Sequence, residues 1–374
     1  MTQSPARLLV AESERGADML YATAFRAPDD FIFVEYRGKK SILLSDLELD
    51  RGRREAKVDE VFSFSEFEKT LIRRLQRQPT YAETIAAFIK KQASSRVRVP
   101  ASFSLGLARA LEQCGLTLET TESLFPERAI KRPEEIRFLE RALRITEAGM
   151  ARALEVLKAT TIGKRHQLHW AGKPLTSERL RLEVEGAIHQ AGGIPAGDSI
   201  LAGGMQACDP HERGHGPLYA HQLIVMDLFP RDACTGYYGD LSRTVVRGTA
   251  SDAQRHLWET CLTGQKMALK KVQAGVLGEQ IHQAVQDFFT TKGYPTEKKE
   301  GRWSGFFHGT GHGLGLEIHE LPRFAAATFQ AGNVFTIEPG LYIPGVGGVR
   351  HEDVVVVTDK GCRMLSKFPK PLEV

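Results

Sequence analysis

Four carboxylates lie inside apolar runs of the kind that form buried strands. They are Asp227, Asp240, Glu338 and Glu352, flanked in turn by Met226 and Leu228, Gly239 and Leu241, Ile337 and Pro339, and His351 and Asp353. Two ionised carboxylates about 4 Å apart repel each other by roughly 4 kcal/mol at an effective dielectric constant near 20. Several such groups can cluster in a core only if cations compensate their charge. The pattern therefore indicates a site for metal ions.

A glycine-rich segment adds imidazoles to these acids. His308, His312 and His319 are separated by glycines, which allow the backbone to approach a metal ion or a substrate closely. Carboxylates with a single imidazole suit divalent ions such as Mn, Co or Zn, whereas a sulfur-rich site would contain cysteines. A nucleotide-binding loop is excluded, because residues 309–315 contain neither Gly-x-Gly-x-x-Gly nor a following Lys-Ser/Thr pair. A lone Asp or His usually has a structural role, so the metal site rests on the combination.

Two strand-rich blocks position the acids, and two predicted helices precede each block. The first block, residues 223–246, follows a long helix that begins at Pro133 and a second that starts after Thr176 and stops at Gly192. The second block, residues 333–357, follows helices at 253–272 and 278–292. Because each block carries two of the acids, the two halves suggest an internal pseudo-symmetry.

The first third of the chain predicts a separate α/β domain without a catalytic cluster. Residues 31–36 and 41–45 indicate a β-hairpin, residues 66–75 and 81–91 indicate helices, and residues 97–99 indicate a short strand. The character of the sequence changes near Phe125-Pro126. At 374 residues the chain exceeds a typical single core. We therefore expect two domains, residues 1–125 and 126–374.

Composition and charge narrow the function classes. With 42% hydrophobic and 26% charged residues, the chain has the composition of an ordinary globular protein. The net charge of +4 is spread out, and the most basic stretch, residues 69–98, predicts a solvated helix face instead of a nucleic-acid site. Five scattered cysteines suggest a reducing compartment. No segment reaches the ~20 apolar residues of a membrane span. We expect a cytoplasmic protein that binds neither nucleic acid nor membrane.

The motifs resemble those of the M24 metallopeptidases, which include aminopeptidase P, prolidase and methionine aminopeptidase. The segment 240–244 resembles the family's Asp-x-x-Arg-Thr, and 308–320 resembles its His-Gly-x-Gly-His segment ending in His-Glu. The segments 338–342 and 348–353 complete the set. The resemblance extends from Lys131 to about Leu365, and residues 21–46 more weakly resemble the N-terminal domain of prolidase and creatinase relatives. It implies an α/β (α+β) protein with a pita-bread catalytic domain, of the creatinase/aminopeptidase type, and a smaller α/β N-terminal domain.

The resemblance also implies a role for each residue of the motifs. Two divalent ions per subunit are expected. Mn is the expected metal, and Co or Zn are the alternatives. Asp227 would hold one ion, His312 and Glu338 the other, and Asp240 and Glu352 would bridge both. The residues that resemble substrate-holding and intermediate-stabilising histidines are His211, His308 and His319. Arg350 resembles an arginine that orients the bridging acids, and Glu338 is the expected general base.

The extra N-terminal domain bears on specificity, because methionine aminopeptidases generally lack it. Its presence favours an exopeptidase that hydrolyses Xaa-Pro bonds, acting on peptides with proline in second position, of the aminopeptidase P or prolidase type. The resemblance also suggests a homodimer. Two alternatives are a non-catalytic pita-bread binding or scaffold protein and a metal-independent creatinase-like hydrolase. The complete set of ligand positions argues against both.

Two positions depart from the family pattern or have a rival. Asp227 and Asp240 are two residues further apart than expected, which predicts a longer hairpin tip that reshapes the entrance to the site. Asp232 is a rival for Asp227, although its position after Pro230 and Arg231 indicates a turn. His211 is one residue closer to Asp227 than is usual, so His215 stays an alternative for its role.

Overall fold

The structure is a computed structural model that describes residues 4–93, 95–197, 199–299 and 301–374. The chain divides into two compact units, Met1–Pro126 and Glu127–Val374. Both units combine helices with strands, so the predicted α/β class is confirmed. Among the described residues, no helix combines the length and the apolar composition that a membrane crossing requires.

The first unit is built on a six-stranded sheet in the order β4-β3-β2-β1-β5-β6. The strands are β1 (Ala6–Ala11), β2 (Phe31–Tyr36), β3 (Lys39–Leu44), β4 (Glu60–Ser63), β5 (Arg96–Pro100) and β6 (Thr117–Thr121). Strand β2 pairs antiparallel with β1 and β3, whereas the β3–β4, β1–β5 and β5–β6 pairs are parallel. The predicted hairpin is confirmed as β2 and β3. Its two turn residues, Arg37 and Gly38, have positive φ, as a tight hairpin requires.

Helices of the first unit pack on this sheet. They are α1 (Ala17–Thr23), α2 (Leu49–Glu55), α3 (Phe64–Leu75), α4 (Tyr81–Gln92) and α5 (Leu105–Gln113). The two predicted helices are confirmed as α3 and α4. A reciprocal pair of hydrogen bonds between Thr80 and Glu83 fixes the start of α4, because it satisfies two of the backbone N–H groups that the first turn leaves free.

The second unit contains four α-helices and fifteen short strands among its described residues. The helices are α6 (Pro133–Lys158), α7 (Ser177–Gln190), α8 (Asp252–Lys271) and α9 (Gly278–Thr291). The strands are β7 (Thr161–Ile162), β8 (Leu168–Trp170), β9 (Lys173–Pro174), β10 (Gly193–Ile194), β11 (Ile200–Gly203), β12 (Leu223–Leu228), β13 (Arg231–Asp232), β14 (Leu241–Val246), β15 (Glu297–Lys299), β16 (Arg302–Ser304), β17 (Val334–Ile337), β18 (Gly340–Ile343), β19 (Gly347–Arg350), β20 (Asp353–Thr358) and β21 (Gly361–Met364). All four helices agree with the sequence prediction to within about two residues.

Each half of this unit pairs two helices with an antiparallel sheet. In the first half the sheet has the order β11-β12-β14, and one core joins it to α6 and α7. In the second half the order is β17-β20-β21, and another core joins the sheet to α8 and α9. The two halves thus repeat the plan of two helices followed by a strand pair, β12 with β14 and β17 with β20.

Strand alternation decides which residues face away from the helices. Successive side chains of a strand point to opposite faces. Met226 and Leu228 of β12 pack into the core with α6 and α7, so Asp227 between them faces the other side. Likewise Phe335 and Ile337 of β17 pack into the core with α8 and α9, and the chain places Glu338 on the opposite face. The apolar neighbours of Asp227 and Glu338 therefore turn these two acids away from the helix-packed cores.

Candidate active site

The predicted acids and histidines line one cleft of about 510 Å³ in the second unit. Its lining includes all five predicted metal ligands, Asp227, Asp240, His312, Glu338 and Glu352. It also includes the four other predicted site residues, His211, His308, His319 and Arg350. The fold thus brings the whole predicted set together from segments that span residues 211–352.

Two strand pairings set the acids next to one another. Asp227 is opposite Ser242 in the β12–β14 pair, which brings it close to Asp240, the residue just before β14. Glu338 follows the end of β17, whose last residue pairs with Asp353, so Glu352 comes alongside. A backbone hydrogen bond from Glu352 N–H to Ser242 O (3.1 Å) joins the two halves at this point.

His312 reaches the acids from a loop that pairs with β17. Its N–H donates to Thr336 Oγ1 (3.0 Å), and Thr336 N–H donates back to His312 O (2.9 Å). Gly311 makes this approach feasible, because a Cβ at that position would lie 1.9 Å from Thr336 O. His312 Nε2 then lies 3.4 Å from Asp240 Oδ2 and 3.4 Å from Glu338 Oε1.

Arg350 ties the site together from β19. Its Nη2 donates to Asp227 Oδ2 (2.7 Å), its Nε to Ser242 Oγ (2.9 Å) and its Nη1 to the Tyr342 hydroxyl (2.8 Å). Ser242 Oγ in turn donates to Glu352 Oε2 (3.0 Å). The side chain of Arg350 is 3% exposed, so one buried cation orients groups at both ends of the acid cluster.

His308 ends a hydrogen-bonded chain that starts at Arg350. Its Nδ1–H donates to Gly309 O (2.8 Å), and its Nε2 accepts from the Tyr342 hydroxyl (2.8 Å). Burial and the nearby Arg350 lower the pKa of His308 to about 3, so the ring is neutral at physiological pH. Gly340 permits this arrangement, because a Cβ there would lie 2.4 Å from the Tyr342 hydroxyl and 2.8 Å from His308 Nε2.

The other two histidines occupy different parts of the cleft. The ring of His319 is perpendicular to that of His312, with 4.4 Å between the ring centroids. Burial, followed by the charge of His312, lowers the pKa of His319. His211 is an exposed lining residue. His215, the alternative to His211, lies outside the cleft lining, with its Nδ1 3.4 Å from Glu212 Oε1.

Asp232, the rival of Asp227, is buried in the hairpin tip and not in the cleft. Its carboxylate accepts from Cys234 N–H (3.0 Å) and Thr235 Oγ1 (2.7 Å), and Arg141 Nε lies 3.0 Å away. The tip itself folds back through β13, which pairs with β10. Within this extension Phe229 is the residue that lines the cleft. Asp232 therefore stabilises a turn, as its sequence setting predicts.

The donor set fits divalent cations. Asp227 Oδ1 is buried and has no hydrogen-bond partner among the described residues. Burial, and next the neighbouring carboxylates, raise the pKa values of Asp240 and Glu352 well above their ordinary range. The cluster has four acids, and Arg350 is the cation that contacts it. Two donors each about 2.1 Å from one tetrahedral ion lie about 3.4 Å apart, as His312 Nε2 does from two carboxylates.

Three residues of the site had no role in the sequence-based prediction. Ser242 relays between Arg350 and Glu352, Thr336 contacts both His312 and Glu338, and Tyr342 joins Arg350 to His308. The sequence did contain a signal for Ser242 and Thr336, because each is a hydroxyl in an apolar strand on the same face as a predicted ligand.

The chain is similar in sequence to a known peptidase family and to individual peptidases. Residues 137–359, more than half of the chain, match the sequence model of Metallopeptidase family M24. The chain is 33% identical over 257 residues to the Xaa-Pro dipeptidase of Pyrococcus furiosus, a match that covers 66% of this chain and 65% of that protein. It is 31% identical over 256 residues to an uncharacterized peptidase of Bacillus subtilis, which covers 67% of this chain and 66% of the relative. The matches thus span just under two thirds of these relatives.

Solved structures share the fold of the entire chain. The prolidase of Pyrococcus horikoshii superposes with a TM-score of 0.78 at 24% identity, covering 98% of this chain and 95% of that one. The X-Pro aminopeptidase of Thermotoga maritima gives a TM-score of 0.80 at 23% identity, covering 99% and 97%. The expected pita-bread fold is therefore confirmed. The sequence motifs, the family match and the shared fold agree, and the chain belongs to metallopeptidase family M24, whose members use divalent metal ions.

Proposed function

We propose that this protein is a dinuclear-metal exopeptidase that hydrolyses the bond after the N-terminal residue of peptides with proline in second position. The observation that carries the proposal is the convergence of Asp227, Asp240, Glu338 and Glu352 with His312 in one cleft. Relatives named Xaa-Pro dipeptidase, at 31–33% identity, support the substrate class. An aminopeptidase P activity and a prolidase activity are the two forms of this proposal, and they differ in preferred peptide length.

The five ligands divide between two ions. Asp227 would hold one, His312 and Glu338 would hold the other, and Asp240 and Glu352 would contribute to both. Supporting this division, Asp240, His312 and Glu352 present donor atoms that all lie within 4.8 Å of one another. Mn is the proposed metal, with Co or Zn as alternatives, because carboxylates with a single imidazole suit such ions.

Divalent ions, when bound, supply Lewis acidity that activates water near neutral pH and stabilises developing negative charge. The protein supplies the proton transfer. Glu338 lines the cleft beside His312, where a carboxylate is placed to accept a proton from water. We assign to Glu338 the removal of a proton from the attacking water and its delivery to the leaving amine. Thr336 Oγ1, 3.3 Å from Glu338 Oε1, orients the carboxylate for both steps.

We assign the histidines to substrate binding and Arg350 to the orientation of the acids. His211 and His319 both line the cleft, so they are placed to hold the peptide. His308 also lines the cleft and is proposed to help hold the substrate, with its tautomer fixed by Gly309 and Tyr342. Arg350 orients Asp227 directly and Glu352 through Ser242.

Further parts of the proposal concern the protein as a whole. Residues 1–125 are proposed to be the creatinase/prolidase-like domain and residues 126–374 the catalytic domain. The first unit contains the six-stranded sheet and the helices described above. Its described residues form no cluster of predicted ligands. A homodimer and a cytoplasmic location complete the proposal. The five cysteines are free, which is compatible with a reducing compartment.

A ligand variant tests the proposal. Asp240→Asn keeps the size of a bridging acid and removes its charge. The variant should lose metal and should cleave Ala-Pro at least about 100-fold more slowly than the unmodified protein, since metal-site partners carry effects of this size. Asp232→Asn is the matched control, because Asp232 is equally buried but lies in the hairpin tip. Full activity of Asp240→Asn on Ala-Pro would contradict the dinuclear site.

A further inference from the structure

The loop His312–Glu320, which we call the histidine loop, closes on itself. Glu320 N–H donates to Gly313 O (3.0 Å), and Gly313 and Glu320 form an antiparallel bridge. Through this bridge the residues at the two ends of the loop, His312 and His319, come into ring contact at 4.4 Å. The position of Glu320 therefore determines how the two histidines lie relative to each other.

The side chain of Glu320 fixes this loop to the segment that precedes α6. Its Oε1 accepts from Lys131 Nζ (2.5 Å), and its Oε2 accepts from Arg128 Nη2 (2.7 Å). Oε2 also accepts the N–H of Glu317 within the loop (3.2 Å). Glu320 is 4% exposed and Lys131 is 1% exposed, so this ion pair is among the most deeply buried of the described residues. Burial makes the pair intolerant of a missing partner, because the remaining charge would be buried without compensation.

The backbone of the loop packs closely around the Glu320 carboxylate. A Cβ at Gly315 would lie 2.3 Å from Glu320 Oε1, so only glycine allows the loop to wrap this closely. The Lys131 end is equally fixed, because Lys131 N–H donates to Gly332 O (2.8 Å) just before β17. Through Lys131, Glu320 thus links the histidine loop to the segment just before β17, the strand that contains Thr336 and is followed by Glu338.

We propose that Glu320 is a positioning residue that sets the geometry of His312 toward the metal ions and of His319 toward the substrate. This inference rests on the proposed function for His319 and on the donor cluster for His312. Glu320 touches neither the metal donors nor the cleft, and it acts through the backbone of the histidine loop. Groups that orient metal ligands typically change affinity or activity by about 10- to 100-fold when they are removed.

The experiment compares two glutamates that share Arg128. Glu317 is 53% exposed and pairs with Arg128 Nη2 at 2.8 Å, so Glu317→Gln is the matched control for Glu320→Gln. Mn²⁺ is titrated calorimetrically into the metal-stripped full chain. Glu320→Gln should bind Mn²⁺ about 10- to 100-fold more weakly than the unmodified protein, and Glu317→Gln should stay within about twofold. Equal affinities for the two variants would overturn the proposal.

A double variant separates positioning from stability. Glu320→Gln leaves Lys131 buried without its main partner, whereas Lys131→Met with Glu320→Gln removes both charges and should recover much of the melting temperature. If Glu320 positions the loop, Mn²⁺ binding should stay weak in the double variant. Recovery of affinity together with stability would overturn the proposal. Should the single variant not fold, the double variant supplies the same comparison.

Cleavage of Ala-Pro gives the second readout. Glu320→Gln, saturated with Mn²⁺, should show a higher KM, because His319 is no longer held in position toward the substrate. Glu317→Gln should retain the original value. An unmodified protein that cleaves no proline peptide would contradict the proposed function. The Mn²⁺ titration would still decide the role of Glu320, because it does not depend on turnover.

Discussion

Arg350 Nη2 donates to Asp227 Oδ2 at 2.7 Å, although the two residues belong to the separate halves of the second unit. This contact leaves Asp227 Oδ1 buried and without a partner among the described residues, so one oxygen is oriented and the other is available for a cation. The guanidinium also holds Ser242 and Tyr342. A single planar cation with several fixed donors therefore connects the acids of one half to the hydrogen-bonded chain of the other.

Arg350→Lys should uncouple these groups while keeping the positive charge. Lysine offers one ammonium in place of a planar fork, so it cannot reach Asp227, Ser242 and Tyr342 together. We expect kcat/KM on Ala-Pro to fall by about 100-fold, the size typical of a displaced catalytic group. Arg247→Lys is the control, because Arg247 donates to Thr160 and Val374, outside the cleft. Equal activities of the two variants would show that Arg350 does not position the catalytic groups.

Glu338→Gln tests the proposed base. The amide keeps the size of the carboxylate and the contact with Thr336, but it cannot accept a proton from water. With metal supplied in excess, kcat should fall by about 100- to 10,000-fold, the range of general acid–base effects. Metal content is measured in parallel. Undiminished turnover by a variant that retains its metal would show that another group is the base.

Metal should stabilise the fold more at high pH than at low pH. Without bound metal, burial and the neighbouring carboxylates hold the pKa values of Asp240 and Glu352 well above their unfolded values. Such groups stabilise the fold fully below the unfolded pKa, and this stabilisation is lost as the pH rises through the folded pKa. Added Mn²⁺ should therefore raise the melting temperature more at about pH 8 than at about pH 5.5. Equal shifts at both pH values would contradict this coupling.

A buried ion pair involves Asp353, the residue that follows Glu352 and begins β20. Asp353 accepts from Arg243 (2.9 Å) and from Lys370 (2.5 Å), and it is 3% exposed. Asp353→Asn should lower the free energy of unfolding by about 3–5 kcal/mol, because it leaves buried cations without a partner. Glu140→Gln breaks a more exposed pair with Arg363 and should cost at most about 1 kcal/mol. Denaturant titrations of both variants measure the difference.

Strand and helix periodicity explains how much of the fold the sequence predicts. Asp227 between Met226 and Leu228 identifies both a strand and the face on which its carboxylate lies. Pro133 and the glycines after α7 mark the helix ends correctly. These features are local, so the sequence contains them directly. The gathering of the four predicted acids into one cleft follows because two strand pairs bring the segments that carry them together.

Contacts between distant segments lie beyond such reasoning. Lys131 and Glu320 are 189 positions apart, and nothing in either local pattern indicates that they form a buried pair. The role of Tyr342 depends on its 2.8 Å contacts with both His308 and Arg350, which only the folded chain brings together. The longer hairpin was predicted from the spacing of Asp227 and Asp240. Its return through β13 against β10 was not, because that pairing is tertiary.

The most direct test is mass-spectrometric detection of the N-terminal residue released from Ala-Pro and Ala-Pro-Ala, with Ala-Ala-Ala as the control peptide. Each peptide is incubated with the unmodified protein in added Mn²⁺ and again with a chelator. We predict release that is confined to the two proline peptides and abolished by the chelator, with the preferred length distinguishing a prolidase from an aminopeptidase P. Cleavage that persists in chelator, or no cleavage of either proline peptide, would contradict it.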